Sequence, residues 1–137
     1  MSKLETPMIL KYWKKVGGTL IEEFPAVKLS KTTGPRRMDA VIIINGPKKK
    51  ASWRDVSLKN EDIIVIQAKA HRLGMYLMGQ TLFSAQLMKR FKPASIRSVA
   101  LCNKGYSVLR PLLERYKGME VVVMGNNRKR RQDRRTG

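Results

Sequence analysis

Apolar residues fall in short runs, and their spacing switches between the strand and the helix period along the chain. The strongest runs are Met38-Asp39-Ala40-Val41-Ile42-Ile43-Ile44 and Ile63-Ile64-Val65-Ile66-Gln67-Ala68-Lys69, which read as buried strands. Ahead of them, Thr6-Pro7 opens a helix, with Thr6 as N-cap and Pro7 at the first helical position, and Gly17-Gly18 closes it. Ile9, Leu10, Trp13 and Val16 give that helix an apolar stripe, away from Lys11, Lys14 and Lys15. A strand is predicted over 19–27, where Glu22 and Glu23 point to opposite faces, followed by a polar loop over 28–37. Residues 46–62 form an insertion or long hairpin in which Trp53 either anchors the loop or stacks on a base. The remainder alternates: a helix over 74–91, a strand over 96–102, a helix over 107–116 capped by Ser107, and a strand over 119–124. In the first of these helices Leu77, Leu82, Phe83, Ala85 and Leu87 supply apolar surface, with Met75, Met78 and Met88 as filler. The expected architecture is an α/β or α+β domain, residues 1–125, around a central mixed sheet flanked by helices. Residues 126–137 read as a basic tail with the composition of disorder.

Polar side chains inside buried runs are the chemical signal. Gln67 and Lys69, two residues apart, share one strand face, and pairing of the two central strands would bring Asp39 beside them. Asp39, the Gln67 amide oxygen and the Ala68 carbonyl are oxygen donors suited to Mg²⁺ or Mn²⁺, and Lys69 is suited to hold a water or a phosphate. His71 is the single histidine, which excludes a multi-histidine metal site, and Cys102 has no partner for an internal disulfide and reads as packing. Charge sharpens the picture: 29 Lys and Arg against 10 Asp and Glu give a net +19 over 137 residues, the footprint of a polyanion binder. Arg36, Arg37, Lys48, Lys49, Lys50, His71 and Arg72 are the candidate phosphate contacts of the body, and Arg128, Lys129, Arg130 and Arg131 those of the tail. There is no run of membrane-spanning length and no secretory signal pattern, so a cytoplasmic protein is expected, nucleoid-associated if the source is prokaryotic or phage.

Asp39, the Gln67-Ala68-Lys69 triplet and the order of elements over 7–124 together resemble the PD-(D/E)XK nuclease superfamily. The similarity is to its Q-x-K variant, as in Mrr-like restriction endonucleases. That resemblance implies a restriction-endonuclease-like core and a metal-dependent DNA endonuclease hydrolysing phosphodiester bonds, with either a restriction-like or a junction-resolving role and a homodimer to cut both strands. It implies Asp39, Gln67 and the Ala68 carbonyl as metal ligands and Lys69 as the residue that orients or deprotonates water. Glu5 stands where resolvases place an extra metal-binding acid; separately, one of Glu22 and Glu23 can turn from the first strand toward Asp39, Glu22 being the candidate taken, and a plain surface acid is the alternative for each. Gln80 resembles the glutamine that follows the lysine in RecB-like nucleases, although Ser84 stands where their tyrosine would be. The spacing of 27 residues between Asp39 and Gln67 is longer than usual. A basic nucleic-acid-binding protein that does not cut accounts for the charge equally well.

Overall fold

The structure, a computed structural model, describes residues 4–124, so the tail and its four candidate contacts lie outside the described residues. Helix α1 (Glu5–Val16) starts one residue before the expected cap Thr6, and its N-cap is Leu4, which makes no side-chain cap. Pro7 then sits third in the helix, where a backbone N–H would have no intrahelical acceptor, so proline is harmless there too. The buried face is Glu5, Met8, Ile9 and Tyr12 rather than the stripe ending at Val16, which is exposed. Trp13, half-buried, donates Nε1–H to the Gly18 carbonyl at 2.7 Å across the turn into the sheet.

The sheet consists of β1 (Thr19–Val27), β2 (Arg36–Ile43), β3 (Asp62–Arg72), β4 (Ser95–Lys104) and β5 (Met119–Val123). Its five strands lie in sequence order, the first two pairs antiparallel and the last two parallel. Parallel neighbours need a crossover, and α2 (Met75–Met88) and α3 (Arg110–Glu114) supply the two crossovers. The fold is therefore α+β, a mixed sheet flanked by helices. Alternate residues of the strands feed opposite layers. Leu20, Ala40, Ile42, Ile64, Ile66, Ala68, Val99 and Leu101 pack with α1, while Ile21, Val41, Ile43, Ile63 and Val65 face Met88 of α2. Each fully buried isoleucine contributes about 1.5–3 kcal/mol. β3 is central, longest and buried on both faces from Ile63 to Ala68, which is why its sequence is a continuous apolar run.

The segment between β2 and β3 does not project as a free hairpin. It runs back along the outer edge of β1, where the Leu20 amide donates to Lys49 O and the Ala51 amide to Leu20 O, both at 2.9 Å, covering an otherwise open strand edge. Trp53, in a single 3-10 turn, is half-buried against this layer with Lys28 Nζ and Arg54 Cζ over its ring, so it anchors the loop. Helix α3 is shorter than expected because of Pro111. A helix capped at Ser107 would need the residue 111 amide to donate to the Ser107 carbonyl, and proline has no N–H. In α2 the buried residues are Leu77, Thr81, Ser84, Ala85 and Met88, whereas Met75 and Phe83, expected to pack, are exposed. Among the described residues no helix is long and apolar enough to cross a membrane.

The α1–β1 turn provides a test of the frame. Gly18 has φ +83°, and a Cβ there would lie 2.5 Å from the Ile43 carbonyl oxygen. Gly18→Ala is expected to destabilise by at least ~1–2 kcal/mol from the left-handed backbone alone, read as a lower midpoint in urea unfolding.

Candidate functional site

Pairing between β2 and β3 stops at the rung Ala40–Ile66, yet β2 continues along β1 through Met38, Arg37 and Arg36, and β3 continues along β4 through Gln67, Ala68 and Lys69. The two central strands part at that rung. Even-numbered residues of β3 turn their peptide groups toward β2, as the Ile44 amide donating to Asp62 O at 2.9 Å shows at the paired end. Past the fork, the amides of Ala68 and Ala70 therefore lose their strand partner, and buried amides require an acceptor. Two carboxylates provide it. Asp39 Oδ2 accepts from Ala68 N at 2.8 Å, and Glu5 Oε2, reaching in from the first turn of α1, accepts from Ala70 N at 3.0 Å. The two amides are one two-residue step apart, about 7 Å at the usual strand rise, so the acids stand side by side along the fork.

Asp39 reaches the fork because the strand alternation breaks beside it. Glu23 lies across from Asp39, between the rungs Glu22–Ala40 and Phe24–Met38, and takes left-handed backbone with φ +54°. Ile21 and Phe24, three residues apart, consequently share the α2-side layer, as do Met38 and Val41 on the partner strand. Asp39 is left out of that layer and turns to the β3 edge. Burial pushes its carboxyl above the ordinary value; the Ala68 amide and the Lys69 charge pull it down, and the Glu23 charge pushes it further up. A partly buried carboxylate that its surroundings hold this weakly in the charged form is suited to a cation, and Asp39 uses only Oδ2 for its amide bond.

Gln67 shares the face of Ile63 and Val65, toward α2. Its amide nitrogen donates to Ser84 Oγ at 2.9 Å and meets Met38 Sδ at 3.3 Å, and the side chain is buried. It forms part of the wall of a cleft of about 690 Å³ between β2 and α2, shared with Arg36, Arg37, Tyr76, Gln80 and Phe83. Lys69, two residues on, is exposed. The structure thus brings Asp39, the Ala68 backbone, Lys69 and Glu5 to one fork, and Gln67, Gln80, Arg36 and Arg37 to the adjoining cleft.

Other expected residues sit elsewhere. Glu22 pairs with Lys50 Nζ at 3.3 Å rather than joining Asp39, and Glu23 is the β1 acid that acts on Asp39. Lys48 Nζ donates to the Lys14 carbonyl at 3.4 Å and Lys49 uses its carbonyl at the β1 edge, so this lysine run borders α1 and β1. His71 and Arg72 are exposed at the end of β3, with Arg72 Cζ 6.0 Å from the Tyr106 ring centroid. Among the described residues no three His, Cys, Asp or Glu side chains converge as a metal-binding group. Sequence names Glu23 only as the alternative to Glu22 and Ser84 only as standing in place of a tyrosine; the signal for the Ser84 contact is its helical spacing of four from Gln80. Set against known protein families, curated proteins and solved structures, the chain matches none.

The raised Asp39 pKa has a direction in stability. Folding favours the neutral carboxyl, so this group's contribution is fully present below the unfolded value of 3.8 and is lost as pH rises through the higher folded value. Asp39→Asn keeps an oxygen acceptor for Ala68 N without the charge. It is expected to raise the thermal midpoint at pH 7 relative to the native protein, with the gain shrinking as pH falls toward 4; an equal gain at both pH values would contradict this account.

Proposed function

We propose that the protein is a metal-dependent DNA endonuclease that hydrolyses phosphodiester bonds. The observation that carries the reading is the fork, where the Asp39 carboxylate sits on the Ala68 amide with Glu5 one step along and Lys69 beside them. Asp39 and Glu5 would hold Mg²⁺ or Mn²⁺, with the Ala68 carbonyl as a further oxygen donor of the right kind. When bound, the ion would supply Lewis-acid polarisation of the phosphate and a more acidic water. Lys69 hydrogen-bonds the attacking water, takes up or orients its proton, and offsets negative charge growing on the phosphate. Arg36 and Arg37, exposed next to this end of the sheet, hold flanking phosphates and fix the register of the strand being cut. A net charge of +19 draws the polyanion in from a distance.

A second reading, a nucleic-acid-binding protein that does not cut, draws on the Gln67 amide nitrogen being tied to Ser84. The two readings divide on activity. Plasmid, linear, branched and single-stranded DNA are incubated with protein plus Mg²⁺, Mn²⁺ or EDTA. Cleavage is expected only with a metal, and Asp39→Ala is expected to abolish it. Lys69→Ala is expected to lose ~10²–10⁴-fold in rate, the range for a positioned proton-transfer group, with DNA affinity nearly unchanged. Tight binding without cleavage of any substrate would leave the second reading standing, and cleavage by Asp39→Ala would remove the fork from the mechanism.

Binding itself has a signature that both readings share. Contacts to roughly 6–10 phosphates release condensed counterions, and affinity is expected to fall ~10³–10⁵-fold between about 50 and 200 mM salt. A fluorescence anisotropy titration across that range checks it, and a flat response would count against any basic nucleic-acid surface.

A further inference from the structure

The cleft next to the fork has a construction that phosphate binding alone does not require. Tyr76 and Phe83, both 70% or more exposed, stand two helical turns apart on α2, and Gly79 and Gln80 lie between them on the same face. Gly79 is out of place for a helix interior, where glycine is less favourable than alanine by about a factor of five in local stability. Close packing does not explain it, because a Cβ at Gly79 would meet nothing within 4 Å. It leaves an open slot between two exposed rings. Among the described residues none in the cleft wall is acidic; Arg36 and Arg37 stand on the β2 side, and Gln67, Gln80 and Ser84 are further polar residues of the wall. With its amide nitrogen committed to Ser84, Gln67 keeps an oxygen with no hydrogen-bond partner among the described residues.

We infer that this cleft binds single-stranded nucleic acid by taking up an unpaired base in the slot at Gly79. The base stacks on Tyr76 or Phe83, an interaction every base offers through its π face. The Gln67 and Gln80 amides contact its hydrogen-bonding edge, and Arg36 and Arg37 hold the phosphates on either side. A duplex keeps its bases stacked and cannot offer one to the slot without first unpairing it. The inference deepens the nucleic-acid reading above and rests on it, since it names the form of substrate presented to the fork.

The test is binding, measured in EDTA so that cleavage plays no part. A short single-stranded oligodeoxynucleotide carrying 2-aminopurine, and a duplex of equal length, are titrated with native protein and with Tyr76→Ala, Phe83→Ala and Gly79→Ala. Tyr76 and Phe83 are exposed, so their truncation leaves the core intact. Native protein is expected to bind the single strand more tightly than the duplex and to quench 2-aminopurine. At least one of the aromatic truncations, the one that removes the stacking ring, is expected to weaken single-strand binding by roughly 5- to 150-fold, the range for one base–aromatic stack, while neither changes duplex affinity more than about twofold. Gly79→Ala is expected to raise the thermal midpoint and yet weaken single-strand binding, opposite signs that a purely structural glycine would not give. Equal effects on both forms of DNA, or none on either, would overturn the inference while leaving the nuclease reading intact. So would a dimer in sedimentation that Phe83→Ala dissociates with DNA affinity unchanged, because the rings would then serve an interface between copies. Failure to bind any DNA would remove both readings.

Discussion

Two backbone amides at the parting of β2 and β3 set the terms for the rest of the molecule. A sheet that ran on past Ala40–Ile66 would satisfy Ala68 and Ala70 with strand carbonyls. Here the strands separate, and leaving a buried amide without a partner costs ~1–3 kcal/mol. The chain meets that demand with carboxylates from two distant parts of the sequence, Asp39 on β2 and Glu5 on α1. Helix α1 is thereby fixed against the sheet at its first residue, and the acids are gathered at one end of β3.

An ionised carboxylate offers about four acceptor positions, and a single amide uses one. Asp39 therefore has capacity left after Ala68 is satisfied, and Lys69 is a favourable charge near it. A buried acid whose only role were to bond an amide would do as well as an asparagine, which has an oxygen acceptor and no charge to desolvate. The presence of a charge that burial disfavours, with Glu23 adding repulsion, is the physical reason to look for a cation at this point.

Much of the frame was legible because its elements are consistent with their own local chemistry. The five strands are apolar runs bounded by glycine, proline and polar segments, and each falls within a few residues of the expected span. The pairing that would bring Asp39 beside β3 followed from those runs. What was not legible depends on a break in period. Strict alternation along β1 puts Glu22 and Glu23 on opposite faces without saying which turns toward Asp39, and the left-handed Glu23 breaks that alternation without any glycine to announce it. Glu5 could be read as an acid near a helix N-terminus, since its destination is an amide 65 residues later that sequence cannot place there. On α2 hydrophobicity correctly points to Leu77, Ala85 and Met88 but not to the exposure of Phe83 and Met75 or the burial of Thr81 and Ser84, whose hydroxyls hydrogen-bond to the Leu77 carbonyl and the Gln67 amide.

Local choices that work against folding are informative when they gather in one region. Asp39 is a charge held where burial disfavours it, Glu23 is a non-glycine residue in left-handed backbone, and Gly79 is a flexible residue inside a helix. Exposed Tyr76 and Phe83 add apolar surface that solvent does not favour. Glu23 and Asp39 face one another across β1 and β2; Gly79, Tyr76 and Phe83 border the cleft that Gln67 shares, one residue along β3 from the amide Asp39 holds. The far end of the sheet has left-handed residues of its own, Asn60 and Lys92, joined by the Asn60 amide donating to Lys92 O at 3.0 Å, while Ile43 pairs with Ile63 and Asp62 bonds Asn45 and Ser95. The disfavoured charge, the helix glycine and the exposed rings that meet at this end of β3, where Asp39 holds its amide, are the grounds for proposing the fork and its cleft as the working surface.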